Sequence, residues 1–144
     1  MTTLCTATAT SSACPDAFFA RWADMATWPE WDDAVAWARR DGPFAAGTTG
    51  VLKPKGGPKV SFVIETLEAG REFTDVSSML GARLRIRHLV SAERGATRVD
   101  IEVTMEGPFA WFWRRAIGRG VASSTPEGLA NLVTVAEADV ADRR

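Results

Sequence analysis

The sequence predicts an α+β fold, in which a curved antiparallel sheet of about six or seven strands wraps round one long C-terminal helix. Short alternating runs, separated by glycine-containing turns at intervals of about eight to twelve residues, predict the meander of strands. A helical pattern that follows Gly107 predicts the long helix. The clearest strands are apolar on one face, so a helix is needed to cover that face.

The N-terminal region predicts one strand and two short helices. The run TLCTATATSSA alternates as a strand does, and SACPDAFFARWADM changes to helical spacing. Pro15 suits the first turn of that helix, and Phe18 and Trp22 fall on one side of it. In the following TWPEW, the residue before a proline favours an extended backbone, so Pro29 is expected to open the second short helix.

The later strands define the two faces of the sheet. In RLRIRHLV, Leu84, Ile86 and His88 share a face and alternate with arginines, whereas in RVDIEVTM apolar residues alternate mainly with acids. The arginines and acids are expected to pair on the solvent side. Asp75 and Ser77 share a face with Phe73, but the pattern does not fix its direction. The strands are predicted in VAWARR, GTTGVLKP, KVSFVIETLE, REFTDVSSML, ARLRIRHLVSAE and TRVDIEVTMEG.

The C-terminal segment from Gly107 reads as one helix that contains Pro126. A proline has no backbone N–H, so the helix is expected to kink or break near it. Ser123, Ser124 and Thr125 precede the proline. Their hydroxyl groups can either bind a ligand oxygen or satisfy the backbone groups of the broken helix.

Composition excludes several function classes. The chain has 144 residues, the size of a single domain over residues 1–144. A net charge of −1 argues against nucleic-acid binding. Two isolated cysteines and no phosphate-binding or metal-spaced motif give no reason to expect a metal or another cofactor. The N-terminus has no signal-peptide pattern and no run is long enough to span a membrane, so we expect a cytoplasmic protein.

Three segments in order resemble the START-like, or SRPBCC, superfamily, which includes polyketide cyclase/dehydrase-type proteins and the birch-pollen allergen fold. They are SACPDAFFARWADMATWPEW, GATRVDIEVTMEGPFA and TPEGLANLVTVAEA. Together they cover nearly the whole chain. The second departs from the family pattern only in Ala96, which lengthens a turn by one residue.

The resemblance implies a helix-grip fold with a deep apolar cavity between the sheet and the long helix. Trp31 would anchor the short helix at the cavity rim, and Trp28 would either pack in the core or form a wall of the mouth. No cofactor is implied. The residues expected to bind the ligand are Trp28, Trp31, Phe73, Ile86, His88, Ile101, Val103, Trp113, Ile117, Ser124 and Asn131.

His88 is the one histidine of the chain and the one candidate catalytic residue. Alternation places it on the apolar face, so its side chain should point toward the cavity. Histidine can transfer a proton near neutral pH. The alternative is a neutral histidine that is hydrogen-bonded within the core.

The segment FAWFW at the start of the long helix carries too many aromatic side chains to bury on one side. A homodimer contact or a lid against TWPEW is favoured over a membrane surface, although Arg114, Arg115 and Arg119 lie nearby.

The function that we predict is binding of an apolar, aromatic or polycyclic small molecule. The alternatives are a polyketide cyclase, aromatase or dehydratase, in which His88 moves the proton, and a lipid carrier or membrane-associated interaction module.

Overall fold

The computed structural model describes residues 2–142 and confirms the predicted architecture. Seven antiparallel strands form one sheet in the order β1-β7-β6-β5-β4-β3-β2. Two short helices follow β1, and a long helix follows β7. The elements are β1 (Thr2–Ser11), α1 (Pro15–Ala23), a 3-10 helix (Met25–Glu30), β2 (Val35–Arg40), β3 (Thr49–Pro54), β4 (Val60–Glu68), β5 (Glu72–Met79), β6 (Ala82–Glu93), β7 (Ala96–Glu106) and α2 (Ala110–Asp142).

Helix α1 begins at Pro15, as the sequence predicts, and buries Phe18 and Trp22 completely. An ion pair also fixes α1 to α2. Arg21 places Nε 2.7 Å from Oδ2 of Asp139 and a terminal nitrogen 2.9 Å from Oδ1. This two-point contact orients α1 across the C-terminal end of α2.

The second short helix differs from its prediction. It is a 3-10 helix that begins at Met25 and contains Pro29, whereas the sequence suggested an extended residue before Pro29 and a helix after it. The indole N–H of Trp28 donates to the backbone oxygen of Trp22 at 3.2 Å, and the Trp28 ring packs on Trp31 at a centroid distance of 6.1 Å. We infer that this packing outweighs the local preference of the residue before a proline.

The register of the sheet arranges its inner face in rows. Phe73 of β5 pairs with His88 of β6, which pairs with Ile101 of β7. In the next row, Asp75 pairs with Ile86. On the outer face, arginines of β6 pair with acids in the contacts Arg83–Glu106, Arg85–Glu65, Arg85–Glu106 and Arg87–Glu72. The charged outer face is as predicted, but these acids are not those of RVDIEVTM, because Asp100 pairs with Arg98 of its own strand.

Helix α2 is continuous through Pro126, so the helix does not break there. The amide that Pro126 lacks would have bonded the carbonyl oxygen of Ala122. That oxygen lies 3.9 Å from the sulfur of Cys5 on β1, whose single thiol proton has the Thr6 oxygen as a second acceptor at 3.7 Å. The buried residues of α2 are Gly128, Leu129, Leu132 and Ala136, all after the proline. No helix within residues 2–142 has the length and hydropathy that a membrane crossing requires.

The aromatic residues at the start of α2 form an exposed patch with the β5–β6 turn. Leu80 is 80% exposed and Trp111 is 62% exposed, with Phe109 and Phe112 at 49% each. The indole N–H of Trp113 donates to the Leu80 oxygen at 2.8 Å. These contacts are with the β5–β6 turn and do not form the predicted lid against TWPEW. A homodimer contact and a membrane surface stay predictions for this patch.

Candidate functional site

A cavity of about 520 Å³ lies between the inner face of the sheet and helix α2. Strands β2 to β7 supply one wall, and residues 116–129 of α2 supply the other. Most of the lining is apolar. The apolar side chains include Val35, Leu52, Val60, Phe62, Met79, Leu84, Ile86, Ile101, Val103, Ile117, Val121 and Leu129.

Three tryptophans of the N-terminal helices line one end of the cavity. Trp22 belongs to α1 and Trp28 to the 3-10 helix, and Trp31 is the residue that caps the end of the 3-10 helix. All three are buried. TWPEW therefore supplies an aromatic part of the lining. The indole nitrogens of Trp22 and Trp31 are buried without a hydrogen-bond partner among the described residues.

Eight of the eleven residues predicted to bind a ligand line this cavity: Trp28, Trp31, Ile86, His88, Ile101, Val103, Ile117 and Ser124. The other three, Phe73, Trp113 and Asn131, are not part of the lining. Phe73 is fully buried and packs against the rings of His88 and Trp22. Trp113 is bonded to the β5–β6 turn, and Asn131 lies on α2 beyond the last residue that lines the cavity.

His88 faces the cavity, as its alternation with the arginines predicted, and is 8% exposed. Its Nδ1 lies 2.8 Å from the backbone oxygen of Phe73. Burial lowers the pKa of His88 to about 4, and the hydrogen bond to Phe73 opposes this shift. The ring is therefore neutral at pH 7. The Nδ1–H donates to Phe73, which leaves the lone pair on Nε2 to accept a proton or a hydrogen bond.

Asp75 also faces the cavity and is 6% exposed. Its register partners are Ile64 on β4 and Ile86 on β6. Among residues 2–142, the structure shows no hydrogen bond or ion pair to its carboxyl group. Burial raises the pKa of Asp75 from 3.8 to about 7. Asp75 and His88 thus place two titratable groups, shifted in opposite directions, on one wall.

Asp32 is a second acid of the lining and lies next to α2. The Ala34 amide donates to its Oδ1 at 3.0 Å. An added Cβ at Gly128 would lie 3.8 Å from the Asp32 carboxyl carbon, so this acid packs where α2 has no side chain. Burial raises the pKa of Asp32, and the Ala34 amide opposes this shift. Among the described residues 2–142, Lys55 is the one cationic side chain in the lining, and it is exposed.

Sequence reasoning did not select Asp32, Asp75 or Trp22 as site residues. For Asp75 the alternation signal fails, because both faces of this part of β5 are buried: Phe73, Thr74, Asp75 and Val76 all have little exposure. The helical spacing predicts only that Trp22 shares one side of α1 with Phe18, and the structure shows that Trp22 also lines the cavity. Within residues 2–142, no group of three or more His, Cys, Asp or Glu side chains could hold a metal ion.

The chain is similar to a described protein family over nearly its whole length. The family model described as "Polyketide cyclase / dehydrase and lipid transport" matches residues 2–137. No curated protein matches this chain.

Solved structures share the fold at low sequence identity. The crystal structure of Ara h 8.0201 has a TM-score of 0.72 and 14% identity, and the match covers 91% of this chain and 95% of that chain. Hypothetical protein jhp0584 from Helicobacter pylori has a TM-score of 0.74 and 12% identity, with coverage of 91% and 86%. DynU16, a putative protein in the dynemicin biosynthetic locus, has a TM-score of 0.68 and 11% identity, with coverage of 90% and 45%.

Proposed function

Because the chain belongs to the polyketide cyclase/dehydrase and lipid transport family of the START-like superfamily, we propose that it binds an apolar, aromatic or polycyclic small molecule between the sheet and α2. The cavity carries this proposal. Its volume of about 520 Å³ is typical of small-molecule sites, and its lining is apolar with a few polar groups. An aromatic ligand is favoured by the tryptophans at one end.

Burial of apolar surface supplies the driving force for such binding. A ligand that buries roughly 200 Å² of apolar surface gains about 5 kcal/mol before the entropic costs of association. The few polar groups of the lining then select among ligands, because each buried polar group favours a ligand that satisfies it. The lipid carrier remains one form of the same proposal, with a lipid as the bound molecule.

The test uses N-phenyl-1-naphthylamine, an uncharged apolar dye that fluoresces strongly out of water. We expect saturable fluorescence enhancement with the wild-type protein. Ser124 lines the cavity, whereas its neighbour Ser123 is exposed and outside the lining. Ser124→Phe should therefore weaken dye binding at least tenfold, because the ring fills the cavity. Ser123→Phe, the matched control on the same helix, should bind the dye as the wild type does.

Two results would overturn this proposal. One is no saturable binding by wild-type protein that is shown to be folded by circular dichroism. The other is equal dye affinity in the two variants, which would place the dye outside the cavity. Native mass spectrometry of protein purified from its own host, followed by organic extraction, would identify the natural ligand directly.

An enzyme is the second candidate function, as a polyketide cyclase, aromatase or dehydratase. The observation that favours it is the location of His88 and Asp75 on one wall with pKa values displaced in opposite directions. The free Nε2 of His88 would accept a proton from a bound substrate. Incubation of the extracted ligand with wild-type protein should then give a product of changed mass or isomeric form. His88→Gln should bind the ligand but give no product. Equal product formation by His88→Gln would contradict this role.

A further inference from the structure

We propose that the cavity selects ligands that carry a basic amine, with Asp75 as the group that receives the ammonium. This inference rests on the proposed function, because it requires that the cavity binds a small molecule. It names the ligand class that the cavity's charges favour.

The first step is the lack of a partner for Asp75 in the described protein. Its neighbours across the sheet are Ile64 and Ile86, which offer no donor from their side chains. Asp75 is only 6% exposed, and it forms part of the cavity wall. A buried carboxyl group without a partner is costly, and a ligand that donates to it would offset this cost.

The second step is the charge of the rest of the lining. His88 on β6 is neutral, and Asp32, in the loop after the 3-10 helix, adds a second acid. Glu127 on α2 and Lys55 on the exposed β3–β4 turn both act on Asp32, and their effects on its pKa oppose each other. Within residues 2–142, Lys55 is the one cationic side chain of the lining, and burial alone shifts the pKa of Asp75. Asp75 is thus the carboxyl group of the lining without a compensating cation.

The third step compares ligand end groups. A carboxylate on the ligand would face Asp75, on which no cation acts, and this is unfavourable at low dielectric. A hydroxyl would satisfy Asp75 as a neutral donor. An ammonium would donate a charge-assisted hydrogen bond and offset the buried negative charge as well, so it gains the most at this position.

Ionisation of Asp75 gives the proposal a pH signature. Burial raises the pKa of Asp75 to about 7 in the empty cavity. An ammonium binds the ionised form, so the wild type should bind an amine about tenfold more tightly at pH 8 than at pH 6. His88, with a pKa of about 4, does not titrate in this interval.

The experiment compares three ligands on one naphthalene scaffold: 2-(1-naphthyl)ethylamine, 2-(1-naphthyl)ethanol and 1-naphthylacetic acid. Isothermal titration calorimetry of the whole chain at pH 8 measures each affinity. We expect the amine to bind at least tenfold more tightly than the alcohol, and the acid to bind most weakly. In Asp75→Asn, a near-isosteric change, the advantage of the amine should disappear while the alcohol binds within about threefold of the wild type. Asp33→Asn, the matched control at an exposed acid outside the lining, should keep both the advantage and the pH dependence.

The outcomes separate this inference from the proposed function. If the dye binds and Ser124→Phe blocks it, but the alcohol binds as tightly as the amine, the amine inference is wrong and the proposed function stands. If Asp75→Asn keeps the amine preference, Asp75 is not its receptor. If neither the dye nor any naphthalene ligand binds the folded wild type, both proposals fail. The pH series on the wild type gives an independent result should Asp75→Asn fold poorly.

Discussion

His88 donates its Nδ1–H to the backbone oxygen of Phe73, its partner across the β5–β6 ladder, at 2.8 Å. The two rings also stack, with centroids 4.8 Å apart and planes 13° from parallel. One strand therefore fixes both the tautomer and the orientation of the histidine on the next. This leaves Nε2 as the nitrogen available to a ligand, and it makes protonation of the ring unfavourable in the folded state.

The stability of the fold should reveal two opposing titrations between about pH 4 and 6.5. His88 has a pKa of about 4 when folded and 6.5 as its ordinary value, so the unfolded chain binds the extra proton in this interval. The His88 contribution to the free energy of unfolding therefore rises with pH there. Asp75 acts in the opposite direction. Its pKa is raised from 3.8 to about 7, so the folded chain binds the extra proton and stability falls as pH rises.

Because the two effects oppose each other in the wild type, removal of either group should reveal the pH dependence of unfolding free energy that the other group causes. In Asp75→Asn, the free energy of unfolding should rise from pH 4.5 to 6.5, by up to about 1.4 kcal/mol per pH unit relative to the wild type. In His88→Gln it should fall by up to about the same amount relative to the wild type. Urea unfolding at three pH values measures both. Slopes equal to that of the wild type in both variants would show that neither group is shifted in the folded state.

Removal of the proline within α2 should stabilise the protein. Pro126→Ala supplies an amide that can bond the Ala122 oxygen, which now lies 3.9 Å from the Cys5 sulfur. We expect the free energy of unfolding to rise by about 1–3 kcal/mol. Pro15→Ala is the control, because a proline in the first helical turn replaces no intrahelical hydrogen bond. Thermal or urea unfolding of both variants is the measurement, and a loss of stability in Pro126→Ala would contradict the prediction.

The ion pair between α1 and α2 should require the planar arginine side chain. Arg21 contacts both carboxylate oxygens of Asp139, and the two side chains are 17% and 28% exposed. Arg21→Lys keeps the charge but loses the two-point contact, so we expect a loss of about 1 kcal/mol of unfolding free energy. Arg39→Lys is the matched control, since Arg39 and Asp41 are 60% and 48% exposed and their pair contributes little. Equal effects of the two substitutions would show that the Arg21 contact has no special role.

The sequence predicts an element of the fold well when the pattern that determines it lies within the element itself. The alternation of Leu84, Ile86 and His88 with arginines gives the full extent of β6 and the correct inner face, because one side of that strand is apolar and the other is charged. The 3-10 helix is mispredicted at Pro29, because the contacts that hold Trp28 come from residues outside the segment.

The candidate site is less predictable than the fold for the same reason. Ile86, His88, Ile101 and Val103 could be selected because alternation and the family resemblance agree on their direction. Phe73 shares a row with His88, yet its ring packs against Trp22, Trp28 and Phe44. These contacts come from other segments, so a pattern of faces does not contain them. The partnerless state of Asp75 depends on which residues its strand meets across the sheet, and this emerges from the register.

The uneven packing of α2 has a consequence for motion. Its buried residues begin at Gly128, so the first half of the helix covers the cavity while the second half is packed against the fold. Amide hydrogens of residues 114–125 should therefore exchange with deuterium faster than those of residues 129–136. A ligand that contacts both walls would slow exchange in the first half selectively. The first half of α2 would then act as the segment whose opening admits the ligand, and its exchange rate would report occupancy of the cavity.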